Sequence, residues 1–222
     1  MNCMKKEIKA LVFDFDNTLG NRYEAVYLTL REYLRLIKDM NPHSLQMETI
    51  VQDLCVWDEG GAGIKTEMLK RLREKYGIDA TGADFRKFWD ENLSRHMKCF
   101  PGVRELLEKL KDKYLLGCIT NGSAATQTMK LRNSGIYDLF DRIMISGSEK
   151  SAKPDKKIFL EMAERLGVKP EECVFVGDAF SLDVQGALNA GFEAVWVCKN
   201  QYQPSGLDIL KITDVTELDQ YY

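Results

Sequence analysis

The chain opens with an apolar run from Ile8 to Phe13 that ends in two carboxylates, Asp14 and Asp16. Lys9 is the one charge inside this run, so its pattern predicts a strand buried on both faces, as in a parallel sheet. Buried carboxylates without partners are costly, so the two acids require a metal, a nearby cation or exposure at a cleft. The simpler alternative is that Asp16-Asn17 is an ordinary turn at the end of the strand.

The spacing of apolar residues changes after Gly20. Apolar residues recur at intervals of three and four up to about residue 97, which predicts helices and no convincing strand. The fourth of these helices begins near Thr81, and the glycine-rich segment Glu59–Gly63 is interpreted as a flexible connector. The adjoining Gly61–Thr66 lacks the glycine-lysine-threonine order and the preceding strand of a phosphate-binding loop, so it is kept only as a candidate substrate contact.

Strands and helices alternate from Phe100 onward. This alternation predicts an α/β protein: a doubly wound parallel sheet with helices on both faces and an inserted all-helical domain. The sheet domain takes residues 1–19 and 98–222, and the insertion takes residues 20–97. The predicted strands after the first cover residues 114–119, 142–145, 173–176 and 194–198.

Composition narrows the class of protein. The 222 residues are 45% hydrophobic and 29% charged, with a net charge of −3, which gives no reason to expect a nucleic acid polymer as partner. No apolar run has the length of a membrane span, and Met1–Lys9 lacks the apolar segment of a signal peptide. Six cysteines without a Cys-x-x-Cys pair indicate a reduced, cytoplasmic protein, and His43 and His96 lie in polar surroundings that do not favour a zinc site.

Polar side chains stand at the predicted strand ends. In open parallel sheets, ligands bind outside the carboxyl ends of the strands, so these side chains are expected at one edge. Each has a plain alternative as a turn, loop or surface residue, but together they form a set that is hard to dismiss. The set is Asp14, Asp16, Thr120, Asn121, Lys153, Asp178 and Asp183.

This set suits phosphoryl transfer through a covalent aspartyl phosphate. A carboxylate that attacks a phosphate meets charge repulsion, so the site needs cations such as Mg²⁺ and a lysine. A hydroxyl and backbone amides can donate to the phosphate oxygens. An acid two residues after the nucleophile can protonate the leaving alkoxide and then activate water.

Four segments resemble the four motifs of the haloacid dehalogenase superfamily, in the same order and over essentially the whole chain. The helical insertion, likewise, resembles that superfamily's cap domain between the first and second motifs. The segments are Asp14–Leu19, Ile119–Gly122, Ala152–Asp155 and Gly177–Asp183.

The resemblance implies a role for each residue of the set. Asp14 would be the nucleophile and Asp16 the general acid/base, while Thr120 and Lys153 would bind phosphate or order the nucleophile. Asn121 is predicted to bind phosphate beside them. Asp14, the backbone carbonyl of Asp16 and Asp178 would hold Mg²⁺. Asp183 would assist the metal from outside or pair with Lys153.

Asp16 favours a phosphatase, because the superfamily's dehalogenases lack an acid at that position. We therefore expect a magnesium-dependent hydrolase of a small phosphorylated metabolite. Nucleoside monophosphates, phosphoglycolate and sugar phosphates all remain open as substrates. A sugar phosphomutase is the alternative enzyme, and a non-catalytic phosphate- or metal-binding regulator is the alternative of another class. The sequence leaves the oligomeric state open.

Overall fold

The computed structural model describes residues 7–80 and 82–222. The strands of this part of the chain are β1 Ala10–Phe13, β2 Leu115–Thr120, β3 Arg142–Ile145, β4 Cys173–Gly177, β5 Glu193–Val197 and β6 Leu210–Ile212. They form one parallel sheet in the order β3-β2-β1-β4-β5-β6. The predicted fold class, a doubly wound parallel sheet, is confirmed.

The helices of the described part are α1 Arg22–Ile37, α2 Leu45–Trp57, α3 Lys65–Tyr76, α4 Gly82–His96, α5 Val103–Lys111, α6 Ala124–Asn133, α7 Lys156–Leu166 and α8 Gln185–Ala190. The predicted start of α4 at Thr81 lies outside the described residues. Gly77 has a φ of 63° and ends α3 in the left-handed conformation, which glycine adopts without steric cost.

β1 and β6 differ most from the sequence prediction, and the bounds of the other strands agree with it to within one residue. β1 begins at Ala10 rather than Ile8, because Lys9 is exposed and its ammonium lies 2.7 Å from the Glu172 carboxylate. β6 was not predicted, since it has only three residues and a lysine at its centre. Neither difference moves the carboxyl end of β1.

The chain divides into two compact units, one that contains the sheet with helices α5 to α8 and one that contains helices α1 to α4. The sheet unit contains the first segment up to Gly20 and resumes at Cys99, and Asn21–Lys98 form the helical unit. All four residues of β1 are fully buried within the sheet unit. On one face of the sheet, the Phe159 ring of α7 packs edge-on against Phe175 of β4, with centroids 5.0 Å apart. The central strands are thus held by hydrogen bonds to neighbouring strands and by a helix packed on one face of the sheet.

The helical unit has its own aromatic core, in which Tyr33 of α1 meets Phe85 of α4 at 4.8 Å between ring centroids. Its glycine-rich segment, predicted as a flexible connector, is folded into a turn in which the amide N–H of Gly63 donates to the Asp58 carbonyl at 3.0 Å. A Cβ on Gly63 would lie 2.2 Å from the Trp57 carbonyl oxygen, so this turn requires glycine there.

A buried ion cluster closes the same turn. Asp58, which is 2% exposed, pairs with both Arg22 and Lys65. Burial opposes ionisation of Asp58, but the two cations outweigh it and hold the pKa of this carboxyl below its usual range. The helical unit therefore depends on a charge that Asp58 supplies.

None of the helices in residues 7–80 and 82–222 is both long and apolar enough to cross a membrane. Cys55, Cys99, Cys118, Cys173 and Cys198 are free thiols, and Cys3 lies outside the described residues.

We expect Asp58→Asn to destabilise the helical unit by about 3 kcal/mol, because the buried Arg22 and the partly buried Lys65 lose the carboxylate that they share. Urea unfolding followed by circular dichroism measures this loss. Asp79→Asn is the matched control, since Asp79 is exposed and pairs with the exposed Arg73. Equal unfolding free energies for the two variants would contradict a structural role for the cluster.

Candidate active site

The carboxyl ends of β1, β2 and β4 lie side by side at the centre of the sheet. Phe13 is in register with Cys118 of β2 and with Val176 of β4. Asp14 follows β1 directly, Asp178 follows β4 directly, and Thr120 is the last residue of β2. The sheet therefore brings these three side chains to one edge, where ligands of open parallel sheets bind.

The chain turns sharply after Asp16. Asn17 has a φ of 62°, a left-handed conformation that asparagine tolerates better than most residues. The amide N–H of Asn17 donates to the Gly20 carbonyl at 2.8 Å, and that of Gly20 donates to the Phe15 carbonyl at 2.8 Å. The turn interpretation of Asp16-Asn17 is thus right, and the same turn presents Asp14 and Asp16 at the edge of the sheet.

Three carboxylates converge at this edge. Asp14, Asp178 and Asp183 each offer an oxygen, and the three oxygens lie within 4.8 Å of one another. The Thr18 hydroxyl lies between two of them, 3.3 Å from Asp14 Oδ2 and 3.4 Å from Asp178 Oδ1. This cluster of oxygen ligands is the centre of the candidate site.

The ammonium of Lys153 is buried against the cluster. Its Nζ donates to Asp14 Oδ1 at 2.5 Å and to Asp183 Oδ1 at 2.7 Å. Burial disfavours the charged lysine, but the Asp14 and Asp183 carboxylates outweigh that effect and raise the pKa of Lys153 above its usual range. Lys153 is therefore a fixed positive charge in this site.

Asp183 is turned inward by an irregular helical segment. Residues Phe180–Val184 form a π-helical turn before α8, and Asp183 within it is fully buried. Its Oδ2 accepts the amide N–H of Ala179 at 2.9 Å. A Cβ on Gly177 would lie 2.4 Å from that carboxylate, so Gly177 leaves the space that Asp183 occupies.

Asn121 holds the loop that carries the lysine. Its side-chain nitrogen donates to the Lys153 carbonyl at 2.9 Å, and its side-chain oxygen accepts the Lys153 amide N–H at 3.0 Å. The structure thus uses the Asn121 amide to position the backbone of Lys153. A role for Asn121 in binding phosphate stays a prediction.

Asp16 has different neighbours from Asp14. Its two carboxylate oxygens lie 2.9 and 3.0 Å from Lys130 Nζ, and Gln127 Nε2 donates to Oδ2 at 2.9 Å. Gln127 also donates to the hydroxyl of Thr120. Among the described residues, the carboxylate of Asp16 does not join the three that form the acidic cluster.

Sequence reasoning missed Thr18, Gln127 and Lys130. Gln127 and Lys130 are three positions apart on α6, which places them on one face of that helix. Both are buried there beside Leu131. The sequence does offer a signal for Lys130, because it is a lysine on the apolar face of a short helix that follows the strand end Thr120-Asn121.

A family model for haloacid dehalogenase-like hydrolases matches residues 11–197 of this chain. The chain belongs to this family. The predictions that the chain belongs to this superfamily and that it is an enzyme are thereby confirmed.

Relatives with stated activities support the same assignment. The chain is 30% identical to N-acylneuraminate-9-phosphatase of Rattus norvegicus over 207 residues, 87% of this chain and 84% of the relative. It is 32% identical to glyceraldehyde 3-phosphate phosphatase of Methanopyrus kandleri over 202 residues, 88% of this chain and 86% of the relative. These relatives place the chain on the phosphatase branch of the haloacid dehalogenase-like hydrolases, as predicted.

A solved structure agrees in fold over the full chain. The magnesium-bound crystal structure of the HAD-hydrolase YfnB from Bacillus subtilis aligns with a TM-score of 0.75 and 27% identity, covering 97% of this chain and 99% of that one.

The acidic cluster of this hydrolase is short of positive charge. Burial, together with the neighbouring Asp183 and Asp178, raises the pKa of Asp14 well above its usual range despite Lys153. Burial and Asp183 likewise raise the pKa of Asp178 to about 7. Three carboxylates share one described lysine, so two negative charges lack a compensating cation within the cluster.

These residues fit a hard divalent cation. Mg²⁺ prefers carboxylate, carbonyl and water oxygens, and Asp14 and Asp178 present carboxylate oxygens at one place. A divalent cation would supply the missing positive charge. The further prediction that the Asp16 backbone carbonyl is a ligand is untested.

We expect Mg²⁺ to raise the melting temperature only where Asp178 is ionised. A raised carboxyl pKa means that the folded, metal-free protein holds its proton more tightly than the unfolded chain. The contribution of Asp178 to metal-free stability therefore falls as the pH rises from its ordinary pKa of 3.8 to about 7. A divalent cation competes with that proton, so the Mg²⁺-induced rise in melting temperature should be small near about pH 5.5 and full above about pH 8.

Thermal unfolding with MgCl₂ and with a chelator, across this pH range, measures the effect. Asp178→Asn removes one of the two titrating ligands, so the metal-induced shift in this variant is expected to be smaller and to depend less steeply on pH. A shift of equal size at all pH values would contradict this assignment of Asp178.

Proposed function

We propose that this chain is a magnesium-dependent phosphatase that hydrolyses a small phosphomonoester metabolite through an aspartyl phosphate on Asp14. The observation that carries the proposal is the setting of Asp14, a buried carboxylate at the central strand end with the Lys153 ammonium on one oxygen. Two further carboxylates lie beside it, which suits a site that binds a cation and a phosphate together.

In the first half-reaction, a carboxylate oxygen of Asp14 attacks phosphorus and the bond from phosphorus to the ester oxygen breaks. Asp16 in its protonated form gives its proton to the leaving alkoxide, which departs as an alcohol. The product of this step is a phosphoryl group bonded to Asp14 and an ionised Asp16.

The second half-reaction reverses the role of Asp16. Its carboxylate takes a proton from a water molecule as that water attacks phosphorus, and the bond from phosphorus to Asp14 breaks. Inorganic phosphate leaves, and Asp14 and the protonated Asp16 are restored for the next turnover.

The cations and hydroxyls around Asp14 oppose charge repulsion between carboxylate and phosphate. Lys153 is a point charge fixed by Asp183 and by the Asn121 clamp on its backbone. The Thr120 hydroxyl oxygen accepts from Gln127, so its own proton is free to point to a phosphate oxygen. Mg²⁺, held by Asp14, Asp178 and the Asp16 carbonyl, would neutralise phosphate charge when bound.

The proposed substrate class is supported by the names of two relatives, which act on N-acylneuraminate 9-phosphate and glyceraldehyde 3-phosphate. We propose a small sugar-like or carboxylated phosphomonoester for this chain. The helical unit is proposed as the cap domain that selects the leaving group. A chimera that carries the helical unit of a relative with different specificity tests that assignment.

Asp14→Asn is expected to lower kcat/KM on an aryl phosphate by about 10⁴-fold or more, because the nucleophile is lost. Steady-state phosphate release in MgCl₂ measures this loss, and Asp79→Asn in the helical unit is the control that should keep wild-type rates. Full metal-dependent activity in Asp14→Asn would contradict the covalent mechanism.

A panel of phosphometabolites, assayed with Mg²⁺ and with a chelator, separates the phosphatase from the phosphomutase alternative. Release of inorganic phosphate that stops with the chelator is the expected result. Isomerisation of a sugar phosphate without phosphate release would favour the mutase, and metal binding without turnover of any compound would favour the regulator.

A further inference from the structure

The carboxylate of Asp16 is held by two buried side chains that the proposed chemistry does not itself require. Lys130 is 4% exposed and Gln127 is 2% exposed, and both donate to this carboxylate from α6. Asp16 itself is half-buried. Two buried positions of α6, where apolar side chains would ordinarily pack, thus carry side chains that bind the Asp16 carboxylate.

Stability alone does not account for this arrangement. Taking an ammonium and a carboxylate out of water costs about as much as their attraction returns, and replacing such a pair by apolar residues is often neutral. A pair that contributes little net stability, yet lies beside a reactive centre, points to a role in placing the acid.

Asp16 stands two residues from Asp14, whose carboxylate shares one described lysine with the other two carboxylates of the cluster, Asp178 and Asp183. A divalent cation bound there attracts any free carboxylate within reach, because hard cations take six or more oxygen ligands and favour charged ones. An Asp16 carboxylate that bound the cation directly would no longer be placed to give and take a proton.

We propose that Lys130 and Gln127 are positioning residues that hold the Asp16 carboxylate away from the cation site at Asp14 and Asp178. This inference rests on the proposed function of that site. Lys130 supplies the counter-charge that competes with the metal for Asp16. Gln127 fixes the direction of the carboxylate, because its amide is shared with the Thr120 hydroxyl.

The pair gives a specific expectation for Lys130→Met, which keeps the length of the side chain and removes its charge. Without the ammonium, the metal no longer competes with a lysine for the Asp16 carboxylate, so Mg²⁺ affinity should rise by about tenfold as a charged ligand is added. The same displacement should lower kcat by about 100-fold with little change in KM, since the proton carrier is misplaced.

Two matched variants make the test specific. Lys70→Met removes an exposed lysine of α3 and should leave metal affinity and kcat unchanged. Asp16→Asn removes the carboxylate that Lys130 competes for, so adding Lys130→Met to it should not raise Mg²⁺ affinity further. Lys130→Arg, which keeps a charged donor, is expected to recover part of the lost kcat.

Calorimetric titration of each variant with MgCl₂ gives the metal affinity without any turnover, and initial rates on an aryl phosphate give kcat and KM. Unchanged Mg²⁺ affinity in Lys130→Met would overturn the proposal, as would an equal gain in the Asp16→Asn background. A higher KM with unchanged kcat would assign Lys130 to substrate binding instead. If the wild type binds Mg²⁺ but hydrolyses no phosphomonoester, the proposed function fails while the titrations still test the positioning.

Discussion

The candidate site depends on one buried ammonium placed between two carboxylates. Lys153 lies within hydrogen-bonding distance of both Asp14 and Asp183. Opposite charges as far as about 4 Å apart already attract by about 4 kcal/mol at an effective dielectric constant near 20. Lys153 reaches this position because Asn121 binds both polar groups of its backbone. A loop after β3 is thus tied to the end of β2, and the charge that makes the acidic cluster tolerable is fixed by the sheet.

The sheet brings together more acid than that lysine neutralises. Asp178 follows β4 as Asp14 follows β1, and the in-register pairing of the two strands puts both carboxylates at the same edge. Burial raises the pKa of both Asp14 and Asp178, and repulsion from the neighbouring carboxylates raises both further. Without a cation, the cluster favours protonated carboxyl groups. The repulsion that destabilises the metal-free cluster is therefore also what would give it affinity for a metal cation.

Much of this could be predicted from the sequence, because a buried parallel strand has an unmistakable apolar run and its end is where the polar residues begin. Asp14, Thr120 and Asp178 are marked in that way. Asp183 was recognised, but its burial could not be, since it follows from a π-helical turn and from the empty space beside Gly177. Such features depend on backbone geometry that no periodicity encodes, and β6 was missed because three residues around a lysine carry no pattern.

The residues that surround Asp16 are missing from the sequence prediction for a related reason. Gln127 and Lys130 come from a helix that is distant in sequence, so their link to Asp16 is made only in the folded chain. Two acids two residues apart look alike in the sequence, yet one faces a lysine shared with Asp183 and the other faces a lysine and an amide from α6. A nucleophile needs a cation that also attracts the phosphate, whereas a proton carrier must stay clear of that cation. The two acids could take different roles because the fold gives each its own positive charge.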